Sequence, residues 1–390
     1  MSDFDYLSAD DIYLDSACQS LRPQPVIDAL NAYYHEHNSC GERVKYAWGR
    51  TTDEKVESTR HKILKYLKLS PRKYFVSFTL NTTYGINLLL NQIDTSRAGI
   101  KNIVTSDIEH NSPFLATISC AQKNNLPRKV ITRNQDGSLP LDQIPERSLV
   151  VVNSTSNIDG RQLTNIKDIV KTVHKSKGYV IIDAAQALAH HSELLHKTDA
   201  DAICFSAHKM YAPSLGGIII RRDFAKFIDT TIIGGGMVDD VNKDTYLLSK
   251  ENPDHAYTQF EPGLQAWGEI VALGAAIDWL NSRTKADKQV LADNAQKLYD
   301  FLKKQKHLHL INTEPSITMS FYVDKKEVGF DSHTLGAALA DEGIMARTGY
   351  FCVHYYLDHV KHYPPLIRLS LGYHTRESDI DKVIAALEKI

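Results

Sequence analysis

The sequence predicts an α/β fold in which a large, doubly wound and mostly parallel sheet is followed by a smaller C-terminal α+β domain. Near-continuous apolar runs such as SLVVVN (148–153) and YVIID (179–183) alternate with segments of helical periodicity. This alternation is typical of parallel strands that are covered by helices on both faces. Towards the C-terminus it gives way to a mixed order of strands and helices. We therefore predict a large domain over residues 15–270 and a small domain formed by residues 1–14 and 271–390.

The composition is that of an ordinary water-soluble chain. Hydrophobic residues make up 43% and charged residues 24% of the 390 residues, and the formal net charge is −2. Such a chain has no general attraction to nucleic acid or anionic lipid, and its lysines and arginines are scattered along the sequence. We therefore expect no stable nucleic-acid binding.

The cysteines and the N-terminus indicate the compartment. The five cysteines are widely spaced and form no CxxC pair, which argues against a disulfide framework and against a zinc site. The N-terminal segment is acidic and lacks the apolar core of a secretion signal, and no apolar run reaches the length of a membrane span. These features predict a cytoplasmic protein that does not bind a membrane.

The first elements follow from local patterns. A short strand is predicted at residues 12–14, and an amphipathic helix begins at Pro25. The polar stretch at residues 39–56 predicts a long connection, and connections of that length are often functional. The apolar run YFVSFT (74–79) predicts a strand, and a helix follows it.

The junction between that strand and helix carries Asn81, Thr82 and Thr83. Hydroxyl groups and free backbone N–H groups at the start of a helix form a site for anions. The alternative is a plain helix cap, for which Asn and Thr are common residues.

The later elements are predicted in the same way. Residues 238–263 are polar and rich in turn-forming residues, which indicates an excursion from the core. Two helical segments follow from about Ala266. The small domain is predicted to contain strands at 307–312, 316–323, 344–348 and 366–371, a helix at 332–342 and a last helix that begins at Thr375.

Polar residues follow several of the predicted parallel strands, and ligands of such sheets bind beyond the carboxyl ends of the strands. We therefore expect one site that contains His110, Asn157, Asp183, Gln186, His208 and Lys209. Lys209 is flanked by two apolar β-branched runs, at residues 203–205 and 218–220. Desolvation at such a place favours the neutral, nucleophilic amine. The alternative is a surface hairpin in which Lys209 closes a turn.

Residues of these types are the parts needed to hold pyridoxal phosphate (PLP), which we therefore predict as the cofactor. Lys209 would bond to the aldehyde of the cofactor, and Asp183 would keep the pyridine nitrogen protonated. The phosphate would be held by Thr82, Thr83, Ser206 and His208. His110 could stack on the ring, while Gln186 and Asn157 could hydrogen-bond the phenolic oxygen and its surroundings.

At this point the sequence resembles a known family. The segments FTLNTTYGIN, IEHNS, YVIIDAAQ and SAHKMYAPSLGG occur in the order found in class V aminotransferase-type enzymes of PLP fold type I, and most resemble the group II cysteine desulfurases. The resemblance extends from YLDSA near residue 13 to IRLSLGYHT near residue 374. It implies a homodimer whose large domain binds PLP.

The resemblance also implies a substrate and a reaction. ARTGYFCVHYY is similar to the family segment that carries the catalytic cysteine, here Cys352, and IRLSLGYHT is similar to the segment whose arginine, here Arg368, binds the substrate carboxylate. Catalysis by Lys209, Cys352 and His110 would convert L-cysteine to L-alanine. The sulfur would remain on Cys352 as a persulfide for transfer to an acceptor protein, as in iron–sulfur cluster assembly.

The sequence departs from the family pattern in two places. Leu264 stands where the family has a threonine that reaches the phosphate of the partner subunit, and Tyr350 and Phe351 replace the usual polar residues before the cysteine. A more apolar loop could change which sulfur acceptor is admitted to Cys352. The histidines at 354, 359 and 362 match no metal motif, so we expect no metal site.

Three alternatives to this predicted function remain open. Cys352 could be a buried or incidental thiol. The enzyme could be a selenocysteine or cystine C–S lyase of the same fold, in which Cys352 is dispensable. A non-catalytic sulfur-transfer partner of this fold is also conceivable, although it has no need for a lysine paired with a buried acid.

Overall fold

The structure is a computed structural model that describes residues 3–41 and 44–389. The strands are β1 (Ile12–Tyr13), β2 (Tyr74–Thr79), β3 (Asn102–Ser106), β4 (Arg128–Ile131), β5 (Ser148–Asn153), β6 (Tyr179–Asp183), β7 (Ala202–Ser206), β8 (Gly216–Arg221), β9 (Val238–Val241), β10 (Tyr246–Leu248), β11 (His309–Leu310), β12 (Thr318–Tyr322), β13 (Ile344–Met345), β14 (Arg347–Gly349) and β15 (Leu366–Ser370). The helices are α1 (Gln24–Glu36), α2 (Ala47–Tyr66), α3 (Thr82–Gln92), α4 (Asn111–Asn124), α5 (Ile166–Lys175), α6 (Arg222–Ala225), α7 (Trp267–Asn281), α8 (Lys285–Lys304), α9 (Lys325–Val328), α10 (Ser332–Asp341) and α11 (Glu377–Leu387).

The chain forms two compact units. The sheet unit comprises Pro25–Ser154 and Leu163–Asn281. The terminal unit comprises Met1–Gln24, Thr155–Gln162 and Ser282–Ile390. Both junctions of the sheet unit lie about ten residues beyond the predicted limits of 15 and 270, and residues 155–162 leave the predicted large domain altogether. The assignment of functions to residues 15–270 and to the remainder stays a prediction.

The sheet unit is built on seven strands in the order β2-β8-β7-β6-β5-β3-β4. Strands β4, β3, β5, β6 and β7 are parallel, whereas β8 runs antiparallel to both of its neighbours. Strands β2, β5 and β7 are buried along their whole length, as expected for strands with both faces covered. The predicted α/β fold with a large, mostly parallel sheet is confirmed.

The apolar core of the sheet unit lies between the strands and the helices that follow them. Leu149, Val151 and Ile181 from the central strands pack with Ile86 and Leu89 of α3 in one buried cluster. The second strand of the polar excursion, β10, pairs with β9 outside the main sheet. This hairpin exposes large apolar side chains, including Val241, Tyr246 and Leu247.

The predicted long connection at residues 39–56 is wrong for its second half, since α2 begins at Ala47; residues 42 and 43 lie outside the described part of the chain. Helix α2 buries Thr52, Val56, Thr59 and Ile63, which share one helical face. Two of these four residues are threonines, so the buried face of the helix lacks the continuous apolar stripe from which a helix is usually predicted. Thr59 Oγ1 donates to the carbonyl of Ile270 at 3.1 Å, which satisfies a polar atom inside the packing.

The terminal unit contains an antiparallel sheet in the order β11-β12-β15-β14 and a parallel pair of β1 with β13. Its core includes Ile12, Leu298, Phe321, Ile367 and Leu369. The strand predicted at 344–348 is divided into β13 and β14, which pair with different partners. The last helix begins at Glu377 rather than at Thr375.

No helix among the described residues is long and apolar enough to cross a membrane.

Candidate functional site

In the sheet unit, the predicted lysine lies in a tight turn after β7, which we call the lysine turn (residues 207–212). The Ala207 N–H donates to Leu215 O at 2.7 Å, and the Met210 N–H donates to Ala207 O at 2.8 Å. Tyr211 adopts φ +65° in this turn and is fully buried. The two strands that flank the turn, β7 and β8, are antiparallel interior strands of the sheet rather than a hairpin on the surface, and Lys209 itself is half-buried. That Lys209 does more than close this turn stays a prediction.

Asp183 is the last residue of β6 and is buried at the same edge of the parallel strands. Its Oδ1 accepts the backbone N–H of Ala185 at 2.9 Å. Burial raises the pKa of this carboxyl, and the hydrogen bond from Ala185 and the charge of Lys209 act in the opposite direction. The carboxyl therefore lacks full compensation from the protein and is suited to a buried cationic partner.

Hydroxyl groups meet at the start of α3. Thr82 Oγ1 and Ser206 Oγ lie 2.7 Å apart, and the Thr82 N–H donates to Ser206 Oγ at 3.0 Å. Asn81 caps α3 by accepting the Tyr84 N–H at 2.9 Å, so the threonine hydroxyls are not used as caps. A Cβ on Gly216 would lie 2.4 Å from the Cα of Asn81, and only glycine permits this close approach of strand and helix.

His110 is the N-cap of α4, whose Ser112 N–H donates to its Nδ1 at 3.0 Å. The Ser112 hydroxyl lies 2.8 Å from the same nitrogen and 2.6 Å from Thr83 Oγ1. His110 and Thr83 are therefore joined through Ser112, a residue that the sequence analysis did not select. Gln186 and His208 are half-buried, and their roles toward a cofactor stay predictions.

In the terminal unit, Cys352 lies at the tip of a turn that we call the thiol turn (residues 350–353). The Val353 N–H donates to Tyr350 O at 2.8 Å, and the two central residues, Phe351 and Cys352, have φ +47° and +59°. This is the pattern of a type I′ turn, which glycine and asparagine normally occupy. A non-glycine residue in the left-handed region costs roughly 1–2 kcal/mol. Cys352 is exposed, so the alternative of a buried thiol is excluded.

Two buried residues of the terminal unit, Arg368 and Asn157, contact Phe351 of the thiol turn. Asn157 Nδ2 donates to Phe351 O at 2.9 Å, and the Arg368 guanidinium lies 4.7 Å from the centre of the Phe351 ring. Arg368 Nη1 donates to the backbone carbonyl of Asn157 at 3.0 Å. Asn157 thus belongs to the same compact unit as Arg368, whereas the other predicted strand-end residues belong to the sheet unit. Its predicted contact with a cofactor stays a prediction.

Two further charged residues complete this group. Asp15 Oδ1 accepts a hydrogen bond from Arg368 Nη2 at 2.9 Å, and Asp15 Oδ2 accepts one from Arg347 Nε at 3.0 Å. Neither Asp15 nor Arg347 is among the site residues that were predicted from the sequence. The available signal was their position inside the YLDSA and ARTG segments that carry the family resemblance.

Two of the other cysteines, Cys120 and Cys204, lie in the apolar core of the sheet unit. Cys120 and Cys204 are buried, and burial raises the pKa of both thiols, that of Cys120 to about 11. Leu264 is 75% exposed, and its effect on phosphate binding stays a prediction. No group of three or more His, Cys, Asp or Glu side chains within 3–41 and 44–389 is arranged to hold a metal ion.

The family model "Aminotransferase class-V" matches residues 12–383, which is nearly the whole chain. The chain belongs to the class V aminotransferase family. This confirms the resemblance that the sequence motifs indicated and the PLP fold type I that it implied.

Curated relatives and solved structures agree with this assignment. A cysteine desulfurase of Pectobacterium atrosepticum is 27% identical over 393 residues, which cover 97% of this chain and 92% of the relative. The cysteine desulfurase CsdA of Escherichia coli has a TM-score of 0.86 at 22% identity over 99% of this chain and 96% of its own. The cystine C–S lyase C-DES has a TM-score of 0.79 at 19% identity and 97% coverage of both chains. A C-DES mutant structure holds glycine covalently linked to its PLP cofactor.

Proposed function

We propose that this chain is a PLP-dependent cysteine desulfurase that converts L-cysteine to L-alanine and retains the sulfur as a persulfide on Cys352. The observation that carries the proposal is the thiol turn: an exposed cysteine in a left-handed conformation whose neighbour, Phe351, packs on the buried Arg368. An unfavourable backbone conformation at a reactive side chain is typical of functional sites. The full-length similarity to curated cysteine desulfurases supports the same conclusion.

The residues of the sheet unit fit the cofactor. The buried Asp183 offers a carboxylate to a protonated pyridine nitrogen, and the hydroxyls of Thr82 and Ser206 with the N-terminus of α3 offer donors to a phosphate. Lys209 supplies the amine that would hold the aldehyde, while Thr83, His110, Gln186 and His208 are further ligands in this proposal. When bound, pyridoxal phosphate draws electrons from the α-carbon of an amino acid.

The protein's own residues would perform the remaining steps. Arg368 pairs with the carboxylate of L-cysteine and so orients the amino acid. Lys209 Nζ, with His110 as the proposed catalytic partner, moves the proton at the α-carbon. The Cys352 thiolate then attacks the substrate sulfur: an S–S bond forms and the Cβ–S bond breaks. The electron pair remains on the carbon, which is protonated to the methyl group of alanine, so the substrate sulfur is oxidised while the carbon is reduced.

The partners in this proposal follow from the family. We propose a homodimer in the cytoplasm and an acceptor protein that takes the sulfur from Cys352. The exposure of Cys352 supports such a transfer, because a thiolate on the acceptor must reach the persulfide. In this proposal, residues 15–270 bind the cofactor. The remaining residues bind the substrate carboxylate through Arg368 and accept the sulfur on Cys352.

The test is one incubation of the purified protein with L-cysteine, with and without a reductant. Alanine and sulfide are quantified for wild type, Cys352→Ala and Cys40→Ala. Cys40 is the matched control, because it is another exposed free cysteine. We expect alanine from wild type and from Cys40→Ala, and a loss of at least about a hundredfold for Cys352→Ala.

Other outcomes would decide between the alternatives. Equal alanine formation from L-cysteine by wild type and Cys352→Ala would remove the assigned role of the thiol. Formation of pyruvate and a persulfide from cystine would support the hypothesis of a C–S lyase. Cystine is the second substrate to test because the fold is similar to that of C-DES. A protein that binds PLP but converts none of cysteine, selenocysteine and cystine would support a non-catalytic sulfur-transfer partner.

A further inference from the structure

The backbone of Ser112 defines which ring nitrogen of His110 carries a hydrogen. The Ser112 N–H donates to His110 Nδ1 at 3.0 Å. A backbone N–H can only donate, so Nδ1 is the acceptor and has no hydrogen of its own. An imidazolium would direct a second N–H at the first, whereas a neutral ring carries a single hydrogen. The geometry therefore fits a neutral His110 with its hydrogen on Nε2.

The hydroxyl of Ser112 acts in the same direction. Ser112 Oγ lies 2.8 Å from His110 Nδ1 and 2.6 Å from Thr83 Oγ1. Because Nδ1 has no hydrogen, the Ser112 hydroxyl donates to it, and the Thr83 hydroxyl donates to Ser112 Oγ in turn. Hydrogen bonds to the neutral form of a group lower its affinity for a proton. The neutral form does not depend on Thr83, because the Ser112 N–H alone excludes a hydrogen from Nδ1.

The position of His110 at a helix start adds a second effect. His110 is the N-cap of α4, a helix of 14 residues. The N-terminus of a helix carries a partial positive charge, which disfavours a cation at that place. Protonation of His110 would break its hydrogen bonds from Ser112 and also put two positive charges side by side. Both effects keep the ring neutral.

The backbone of His110 is anchored by the preceding residue. The Glu109 side chain is completely buried and pairs with Arg133 Nη2 at 2.8 Å. Glu109 also accepts the N–H of Asn153 at 2.7 Å. Asn153 is the last residue of β5 and Arg133 follows β4, so these contacts tie the chain next to His110 to the ends of two strands. The ring is thus fixed at both its backbone and its Nδ1 edge.

We propose that Ser112 is a positioning residue that holds His110 neutral, with the hydrogen on Nε2. His110 then presents a hydrogen-bond donor at Nε2 and takes up no proton during the reaction. Lys209 is therefore the group that accepts the α-proton: the Cα–H bond breaks, the proton goes to Lys209 Nζ, and the electron pair stays with the substrate. The inference rests on the proposed desulfurase function.

The first measurement is NMR of the holoenzyme with ¹⁵N-labelled histidines, because the two neutral tautomers and the cation differ in their ¹⁵N shifts. The chain has 17 histidines, and the signals that are absent from His110→Asn identify His110. We expect a neutral ring with its hydrogen on Nε2 from about pH 6 to about pH 8, the range in which an ordinary histidine titrates. Ser112→Ala keeps the backbone N–H but loses the hydroxyl. It should raise the proton affinity of His110 about fivefold, as expected for one lost hydrogen bond.

The second measurement is alanine formation from L-cysteine as a function of pH. In Ser112→Ala the loss of rate at low pH should begin at a higher pH than in wild type, and kcat should change more than KM. Ser112→Thr keeps both donors and should restore the wild-type profile. Ser119→Ala is the matched control, because Ser119 is an exposed serine of the same helix, and it should leave the profile unchanged.

The outcomes separate this inference from the function on which it rests. A hydrogen on Nδ1 of His110 in the wild-type protein would overturn the inference. It would also be overturned if Ser112→Ala left the proton affinity of His110 unchanged, or lowered the rate equally at every pH, as a purely structural role predicts. A wild type that forms no alanine would contradict the desulfurase and with it the assignment of Lys209, whereas the NMR signals would still decide the role of Ser112.

Discussion

The lysine turn and the thiol turn both contain non-glycine residues with positive φ, but the first is buried and the second is exposed to solvent. Each contains a non-glycine residue with positive φ: Tyr211 in the first, and Phe351 with Cys352 in the second. The lysine turn joins two interior strands of the sheet, and Tyr211 is completely buried. The thiol turn follows the edge strand β14 and exposes Cys352.

The difference corresponds to what each group is proposed to do. An amine that holds a cofactor benefits from desolvation, because burial favours its neutral, nucleophilic form. It also benefits from a rigid turn, because rigidity keeps the amine at one position. A thiol that must pass sulfur to another protein has to be reached from solvent. Tertiary packing holds the first turn, whereas the second depends on a few contacts of Phe351, namely those from Asn157 and Arg368. Three variants test whether these two kinds of support are distinct.

The largest effect is expected for Lys209→Ala. Without the amine the cofactor has no covalent attachment and the α-proton has no acceptor, so alanine formation should fall by at least about a thousandfold. The visible absorbance of the covalently held cofactor should also disappear. Lys226→Ala is the matched control, because Lys226 is exposed in the same unit. Normal absorbance in Lys209→Ala would show that another lysine holds the cofactor.

A second, smaller effect is expected for Asp183→Asn. Loss of the buried charge should weaken PLP binding by about a hundredfold, in line with the removal of one partner from a buried charged pair. The cofactor-free protein should instead become more stable. Burial raises the pKa of the folded carboxyl, so the folded chain holds this proton more tightly than the unfolded chain does. Ionisation therefore destabilises the wild-type fold as the pH rises above the ordinary aspartate value of about 4.

The measurement for Asp183→Asn is thermal unfolding of the cofactor-free protein at pH 5 and pH 8. The gain over wild type should be larger at pH 8, or equal at both if the raised pKa lies below 5. Asp199→Asn serves as the control, since that carboxyl is exposed. A gain that is larger at pH 5 would contradict the burial effect.

The smallest effect is expected for Asn157→Ala, which removes the donor to Phe351 O. Loss of one hydrogen bond of about 1 kcal/mol should slow alanine formation roughly five- to tenfold. The absorbance of the bound cofactor should not change if Asn157 acts through the thiol turn. A shifted absorbance would instead support the sequence-based hypothesis that Asn157 contacts the cofactor. Asn157→Asp lacks the same donor and should reproduce the slower reaction.

Much of the fold was accessible from sequence because its strands are buried on both faces. The strands predicted at 74–79 and 148–153 coincide with β2 and β5, since continuous apolar runs need no knowledge of the partner. Helix α2 was missed because Thr52 and Thr59 satisfy their hydroxyls inside the packing. A pattern of apolar residues does not reveal buried polar groups that find partners only in three dimensions.

The site was accessible to a lesser degree for the same reason. The parallel strands bring Asp183 and Lys209 to one edge, as the order of elements predicted. Asn157 follows β5 in sequence but belongs to the other unit, because the chain leaves the sheet unit at residue 155 and returns after 162. Asp15 meets Arg368 through a backbone bridge to Ser370, and no local pattern encodes a pairing over 355 positions.

The pairing of β1 with β13 has a consequence for how the protein is made. Ile12 pairs with Ile344, and Leu14 O accepts the Ser370 N–H, so β1 has no strand partner until residue 344 has been synthesised. At about 5–20 residues per second, ribosomes need roughly 15–70 s to cover that distance. The sheet unit needs no residue after 281 and can fold earlier on the ribosome. Asp15, Arg347 and Arg368 therefore come together only after residue 368 has been synthesised, when the lysine turn already has all of its own strands.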